Sequence, residues 1–324
     1  MRILVVILAL TFFFAPASEA AELYAVTPVT PGNTVVYPKK LRLLRESLPA
    51  LREKAETGDA AAQRNLGEKL LMLDEREEAA LWLKKSAAQN NADALFLMGT
   101  LAFDAKKPDE GTTWLEKAAE AGNTQALVTL GDFYQISRRD YARSFPYYKR
   151  GAEQGNAYAQ HRLAICYFQG WGVKKDVKKA VAFLKQSAGN GVSEAMFMLF
   201  EIYSDPQPAK LCGEKTNPAK ALYWLERAAA ARAGSGLYQL FSILENGKGD
   251  IAAAPARGWL WAQWALDAIE NHDTENIMYG KTEMERKAAA FHAKMTEAER
   301  ETTARTFKEW LKNGYPVLSA TEPE

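Results

Sequence analysis

Two cysteines, three histidines and one run of lysines are the residues of this chain best suited to chemistry. Cys166 and Cys212 each lack a Cys-x-x-Cys partner, which argues against thiol redox catalysis and a zinc thiolate site. A disulfide between them and two unpaired thiols stand as alternatives, because sequence does not set their separation. His161, His272 and His292 are scattered, with no His-Glu-x-x-His and no paired ligands at metal spacing. The Ser-x-x-Lys, Ser-Asp-Asn and Lys-Thr-Gly set of serine β-lactamases is missing. Gly170-Trp171-Gly172 follows no strand and precedes no Gly-Lys-Ser/Thr, so it is not a phosphate loop. Lys174, Lys175, Lys178 and Lys179 sit among acids and read as a solvated face. No catalytic residue, metal ligand, cofactor or small-molecule substrate is therefore expected, and the chain is read as not an enzyme. Its 324 residues carry a net charge of +1, which gives no reason to expect nucleic acid or an anionic membrane.

The first residues have an organisation of their own. Arg2, the apolar run Ile3 to Phe14 and the small residues around Ala15-Pro16-Ala17-Ser18-Glu19-Ala20 predict a signal peptide over 1–20, cut after Ala20. The apolar run is short of the ~20 residues that span a bilayer. The expectation is a periplasmic or secreted protein with no membrane insertion after cleavage. Residues 21–40, with Pro28, Pro31, Gly32 and Pro38, read as a linker, and a first helix is expected near Lys40.

The elements that must position everything else come from a repeat. A small residue is followed four positions later by Leu or Met at Ala62/Leu66, Ala94/Met98, Ala126/Leu130, Ala159/Leu163, Ala195/Leu199 and Gly236/Leu240. An aromatic residue stands four before a small pair at Trp82, Trp114, Tyr147, Phe183 and Trp224, and four before the single small residue Ala265 at Trp261. Both spacings mark one helix face, so each repeat is a helix A followed by a helix B. The step from small pair to next anchor is always twelve: Ser86 to Met98, Ala118 to Leu130, Gly151 to Leu163, Ser187 to Leu199, Ala228 to Leu240. All length variation falls between A and B of one repeat. Stacking predicts this, because the B-to-A turn sets how one repeat sits on the next. Asn90, Gly122, Gly155 and Gly191 are expected to end the B helices in the left-handed conformation, with an irregular turn at Arg232. The aromatic row is read as core.

The fourth repeat runs Ala159-Gln160-His161-Arg162-Leu163-Ala164-Ile165-Cys166-Tyr167-Phe168-Gln169-Gly170-Trp171-Gly172-Val173-Lys174-Lys175-Asp176, then Lys179-Ala180 and Ser187-Ala188. It resembles a Sel1-like repeat, and looser copies extend the resemblance over about residues 59 to 268. A fragment at Leu51 to Gly58 looks like an earlier B helix. The first three repeats lack the Gly-x-Gly-Val turn, and the fifth has a long loop from Asp205 to Asn217. The resemblance implies an all-α fold, an α/α solenoid (right-handed superhelix) of about six helix pairs over 41–268. Residues 269–324 are expected to form a C-terminal helical cap, with capping boxes at Thr282/Glu285 and Thr296/Glu299.

For an exported bacterial member, the resemblance implies a protein-binding adaptor or inhibitor that holds one partner on its concave surface. A type VI immunity protein neutralising a phospholipase effector is one such role. An envelope or exopolysaccharide scaffold, a host-directed effector and a β-lactam or peptidoglycan hydrolase are alternatives. By analogy with tetratricopeptide arrays, positions two before and two after the anchor point into the groove. The candidates are Arg64, Phe96, Asp132, His161, Phe197, Glu201 and Tyr238. Their mixture of aromatics and charges suits an interface.

Overall fold

A computed structural model describes residues 45–231, 235–270, 280–313 and 322–323. The expected signal peptide and linker, the expected helix start near Lys40 and the expected irregularity at Arg232 lie outside those residues. Sixteen α-helices account for most of the described chain, and its only β-type pairing is an isolated bridge between Lys248 and Ile251. They fall into two compact units, residues 1–156 and 157–324.

The first unit contains α1 (Leu48–Glu56), α2 (Ala60–Met72), α3 (Arg76–Ala88), α4 (Ala92–Asp104), α5 (Pro108–Glu120), α6 (Thr124–Asp132) and α7 (Tyr141–Glu153). A π-helical turn, Phe133–Ser137, continues α6. Each helix packs on its sequence neighbours, the nearest-neighbour pattern of a helix-pair solenoid. Helix α1 is the earlier B helix read at Leu51 to Gly58.

The turns explain the constant step of twelve. Gly122 has φ +97°, its N–H donates to the Ala119 carbonyl, and the N–H of Asn123 donates to the Ala118 carbonyl. This is a Schellman closure on the small pair itself. Asn90 closes the preceding turn in the same way, at φ +59°. The next residue then caps the following A helix, the Asn91 side chain accepting from Ala94 N–H and Asn123 from Ala126 N–H. A three-residue turn thus ends one helix and starts the next, which leaves no room for an insertion.

Within each pair the A helix offers a glycine one after its anchor. A Cβ on Gly99 would stand 2.8 Å from the Leu115 side chain, and one on Gly131 would stand 2.4 Å from the Tyr148 ring. Each glycine is the slot that receives a B-helix side chain at close range.

The second unit contains α8 (Ala157–Gln169), α9 (Val177–Gly189), α10 (Ser193–Ser204), α11 (Pro206–Cys212), α12 (Pro218–Ala231), α13 (Ser235–Asn246), α14 (Pro255–Glu270), α15 (Lys281–Ala293) and α16 (Glu297–Asn313). Gly191, at φ +91°, closes α9 on Ser187 and Ala188 as in the first unit. Gly170-Trp171-Gly172 is the A-to-B turn that the sequence indicated, and Asp176 caps α9 by accepting from Lys179 N–H at 3.0 Å.

Two expectations are corrected here. The stretch Asp205 to Asn217, read as a loop, contains α11, capped by Asp205 and ended by Gly213 at φ +70°. Pro206 occupies the first helical turn, where a missing N–H costs nothing. Helix α15 begins at Lys281 after Gly280, so Thr282 lies inside it and is not its cap. The Thr296/Glu299 box does form, with Thr296 N–H donating to Glu299 at 2.8 Å and Glu299 N–H to Thr296 Oγ1 at 3.3 Å. Helices α15 and α16 pack on α14, with Phe291 over Gly258 and Phe307 edge-on to Trp259.

The aromatic row is core only in part. Trp82, Trp224 and Trp261 are buried, whereas Trp114, Tyr147 and Phe183 are half-buried. Cys166 and Cys212 are both buried and no disulfide joins them, which decides between the two alternatives. Burial, with Glu214 adding to it, pushes the Cys212 thiol up to about 11.

Candidate functional site

The A helices carry the seven residues singled out for binding, and the structure divides them. In the first unit, Arg64 on α2 donates to Glu68 at 2.9 Å and faces Asp93, on the next A helix, at 3.4 Å. Asp93 in turn accepts from Asn123 Nδ2 at 3.0 Å. The three A helices are therefore linked by a polar chain, Glu68–Arg64–Asp93–Asn123. Phe96 lies beyond it, half-buried against the core of α3 to α6.

In the second unit, Glu201 on α10 accepts from Lys248 Nζ at 3.0 and 3.1 Å and from Gln239 Nε2 at 3.3 Å. Tyr238, beside Gln239 on α13, is 59% exposed, the second most exposed large hydrophobic side chain described. The Glu201–Lys248–Gln239 cluster offers charge and hydrogen-bonding capacity, and α13 also carries the exposed Tyr238 ring.

Asp132, His161 and Phe197 correct the expectation of open groove positions, because all three are buried. Asp132 accepts a 2.6 Å hydrogen bond from the Tyr148 hydroxyl, whose ring lies in the Gly131 slot. His161 is enclosed in α8, and burial, with Arg162 adding to it, pushes its pKa down to about 3. It is therefore neutral throughout the physiological range. An A helix is flanked by B helices on two sides, so two positions from the anchor is not far enough round to reach solvent everywhere.

Sequence reasoning missed Asp93, Asn123, Gln239 and Lys248, which complete these patches. Asn123 caps α6, and its side chain also reaches back to Asp93. Among the described residues no group of His, Cys, Asp or Glu is placed to hold a metal ion. None of the described helices is long and apolar enough to cross a membrane.

Helix pairs joined by fixed three-residue turns, each packed on its neighbours, define an α/α repeat protein of the tetratricopeptide-like class. More specifically, the Sel1 repeat model matches residues 60–91, 92–123, 125–156, 157–192 and 193–232, and the chain belongs to that family. Each of the first four matched stretches is one helix pair with its closing turn; the pair α13–α14 lies beyond the match.

The chain is 35% identical over 124 residues to chitin synthase regulatory factor 3 of Schizosaccharomyces pombe, covering 37% of this chain and 13% of the relative. It is 26% identical over 212 residues to the chitin synthase regulator SKT5 of Saccharomyces cerevisiae, covering 64% of this chain and 26% of the relative. The chain thus spans about an eighth and a quarter of these relatives, both of which are named as regulators, not enzymes. Among solved structures, a protective antigen of uropathogenic Escherichia coli with an SLR fold superposes with a TM-score of 0.52 at 24% identity, covering 82% of this chain and 56% of that one. That likeness supports the fold.

The comparisons overturn one expectation. A periplasmic or secreted location after signal cleavage is not upheld: the curated relatives are fungal chitin synthase regulators, and the residues read as a leader lie outside the described structure.

Proposed function

We propose that the chain is a non-catalytic adaptor that binds one partner protein along the open edges of its A helices. The observation that carries this reading is Tyr238, a large aromatic 59% exposed on α13, the A helix that also supplies Gln239 to the Glu201–Lys248–Gln239 cluster. Tyrosine is enriched at interface hot spots because it offers area and a hydrogen bond at little entropic cost. Arg64, already oriented by Glu68 and Asp93, is the corresponding anchor of the first unit. Helices α15 and α16 close the apolar side of α14, which suits them to end the array.

The test is affinity capture with the full chain, Tyr238→Ala and Arg64→Glu, read by quantitative mass spectrometry. The expected result is one protein recovered by the parent and reduced about tenfold or more by Tyr238→Ala. Equal recovery with both variants overturns the assignment of this face. A second reading, in which the partner is a cell-wall polysaccharide synthase, draws on the 35% identity to a chitin synthase regulatory factor. Recovery of a synthase component supports it, whereas recovery of a phospholipase makes the chain an inhibitor of that enzyme.

A further inference from the structure

The aromatic row of the B helices has a partner row. At Tyr147 and Trp261 the aromatic stands beside the residue two before the small pair of the preceding B helix, and a carboxylate recurs at these joints. In the first unit, Trp82 Nε1 donates to Glu78 at 3.1 Å, and Arg52 of the preceding B helix holds the same carboxylate at 2.7 Å. Tyr147 donates its hydroxyl to Glu116 of the preceding B helix at 3.3 Å. In the second unit, Trp261 Nε1 donates to Glu226 of the preceding B helix at 3.0 Å. For Trp224 the residue in that register is Lys185, which cannot accept. There Trp224 Nε1 donates at 3.2 Å to Glu322, ninety-eight residues on in sequence, and Lys185 interacts electrostatically with the same carboxylate.

One joint has the basic residue and the indole without the carboxylate. At Trp114 the register partner is Lys84, and Glu110, four residues before the indole, pairs with Lys107 instead. Among the described residues Trp114 Nε1 has no hydrogen-bond acceptor. A cavity of about 450 Å³ opens there, lined by Lys84, Trp114, Lys117, Asn90, Leu95 and Glu120. Lys117 stands over the indole at 5.1 Å. Two ammonium groups against one carboxylate leave the cavity net positive, with the Trp114 indole in its lining.

We infer that this cavity binds an acidic side chain of a partner polypeptide, held between Lys84 and the Trp114 indole as Glu322 is held at Trp224. The ligand is a glutamate in an extended acidic segment. Its carboxylate accepts one charge-assisted hydrogen bond from lysine and one from the indole, and its stem lies on Leu95. Glu322-Pro323 is the same chemistry supplied from within the chain. The charged residues and indole of this site lie on the B helices α3 and α5, and the site does not depend on Tyr238 or Arg64 of the surface proposed above.

The experiment uses the full chain and a fluorescein-labelled, C-terminally amidated peptide of residues 317–324, titrated by anisotropy and by calorimetry. The parent is expected to bind one peptide. Lys84→Glu places a carboxylate in the register that Glu116 and Glu226 occupy, so it should fold normally and weaken the peptide by about tenfold or more. Trp114→Phe, which keeps the ring and removes the N–H, should weaken it severalfold, checked against an unchanged melting temperature. Glu322→Lys should release the second site and raise the stoichiometry from one to two. No binding by the parent, or unchanged affinity in Lys84→Glu, overturns the proposal.

Discussion

The two units are built from the same helix pair, yet they differ at one side of it. In residues 45–156 each connection from A to B is three residues long, with Asp74, Lys106 and Arg139 left-handed at φ +62°, +59° and +52°. In residues 157–323 the corresponding connections are seven residues, a stretch that contains all of α11, and eight residues. The turn from B to A is three residues in both. A joint that fixes the angle between repeats keeps its length, while a connection at the rim can grow without disturbing the core. The glycine slots change as well: Gly67, Gly99 and Gly131 accept B-helix side chains in the first unit, and Ala164, Phe200 and Phe241 replace them in the second. At the position after the anchor, the first unit uses a glycine slot and the second a larger side chain.

The largest test of that contrast concerns Glu226, which is 1% exposed and bound by Arg257 and Trp261. Arg257→Ala leaves a buried carboxylate without its counter-charge and is expected to destabilise the second unit by ~3–5 kcal/mol in urea unfolding. Arg52→Ala, at the partly exposed pair with Glu78 in the first unit, should cost no more than ~1 kcal/mol.

Acid should also separate the units, because residues 45–156 contain no histidine. His161 has a folded pKa of about 3 against 6.5 when unfolded, so the unfolded chain binds more protons between those values. Stability therefore falls as pH drops below about 6.5, by up to ~1.4 kcal/mol per pH unit. Comparing the urea midpoints of parent and His161→Gln at pH 7 and 4.5 isolates this contribution; parallel losses in both proteins would refute it.

In the first unit, Gly131→Ala drives a Cβ to 2.4 Å from the Tyr148 ring and should cost ~1–3 kcal/mol. Ala164→Gly, at the equivalent place in the second unit, should cost about 1 kcal/mol through helix propensity. The smallest effect is expected for three glycines inserted after Ala252, a rim connection that should lose ~0.6 kcal/mol or less. The same insertion after Lys106 breaks the Lys107 N–H to Ala102 bond and its turn, and should cost more.

Helix periodicity made the repeat legible, and the twelve-residue step located the turns because a Schellman closure needs one left-handed residue at one place. Helix α11 was not legible, since Pro206 and Pro208 suggest a loop when they stand in fact in the first turn of a helix. The open face was read only in part. Arg64, Glu201 and Tyr238 reach solvent, but Asp132, His161 and Phe197 do not. Solvent access at two positions from an anchor depends on neighbouring helices from distant sequence, which no local spacing records. The Glu322 contact at Trp224 was out of reach for the same reason.

The fixed turn also bears on how such a gene can change length. Residues 60–91 and 92–123 are each 32 residues, and each ends in a left-handed residue followed by a capping Asn. An in-frame duplication or deletion of one such segment joins a turn to a helix start of the same chemistry, so neither junction needs new sequence. The array can thus lengthen or shorten one whole unit at a time, whereas a crossover inside a helix leaves a mismatched core.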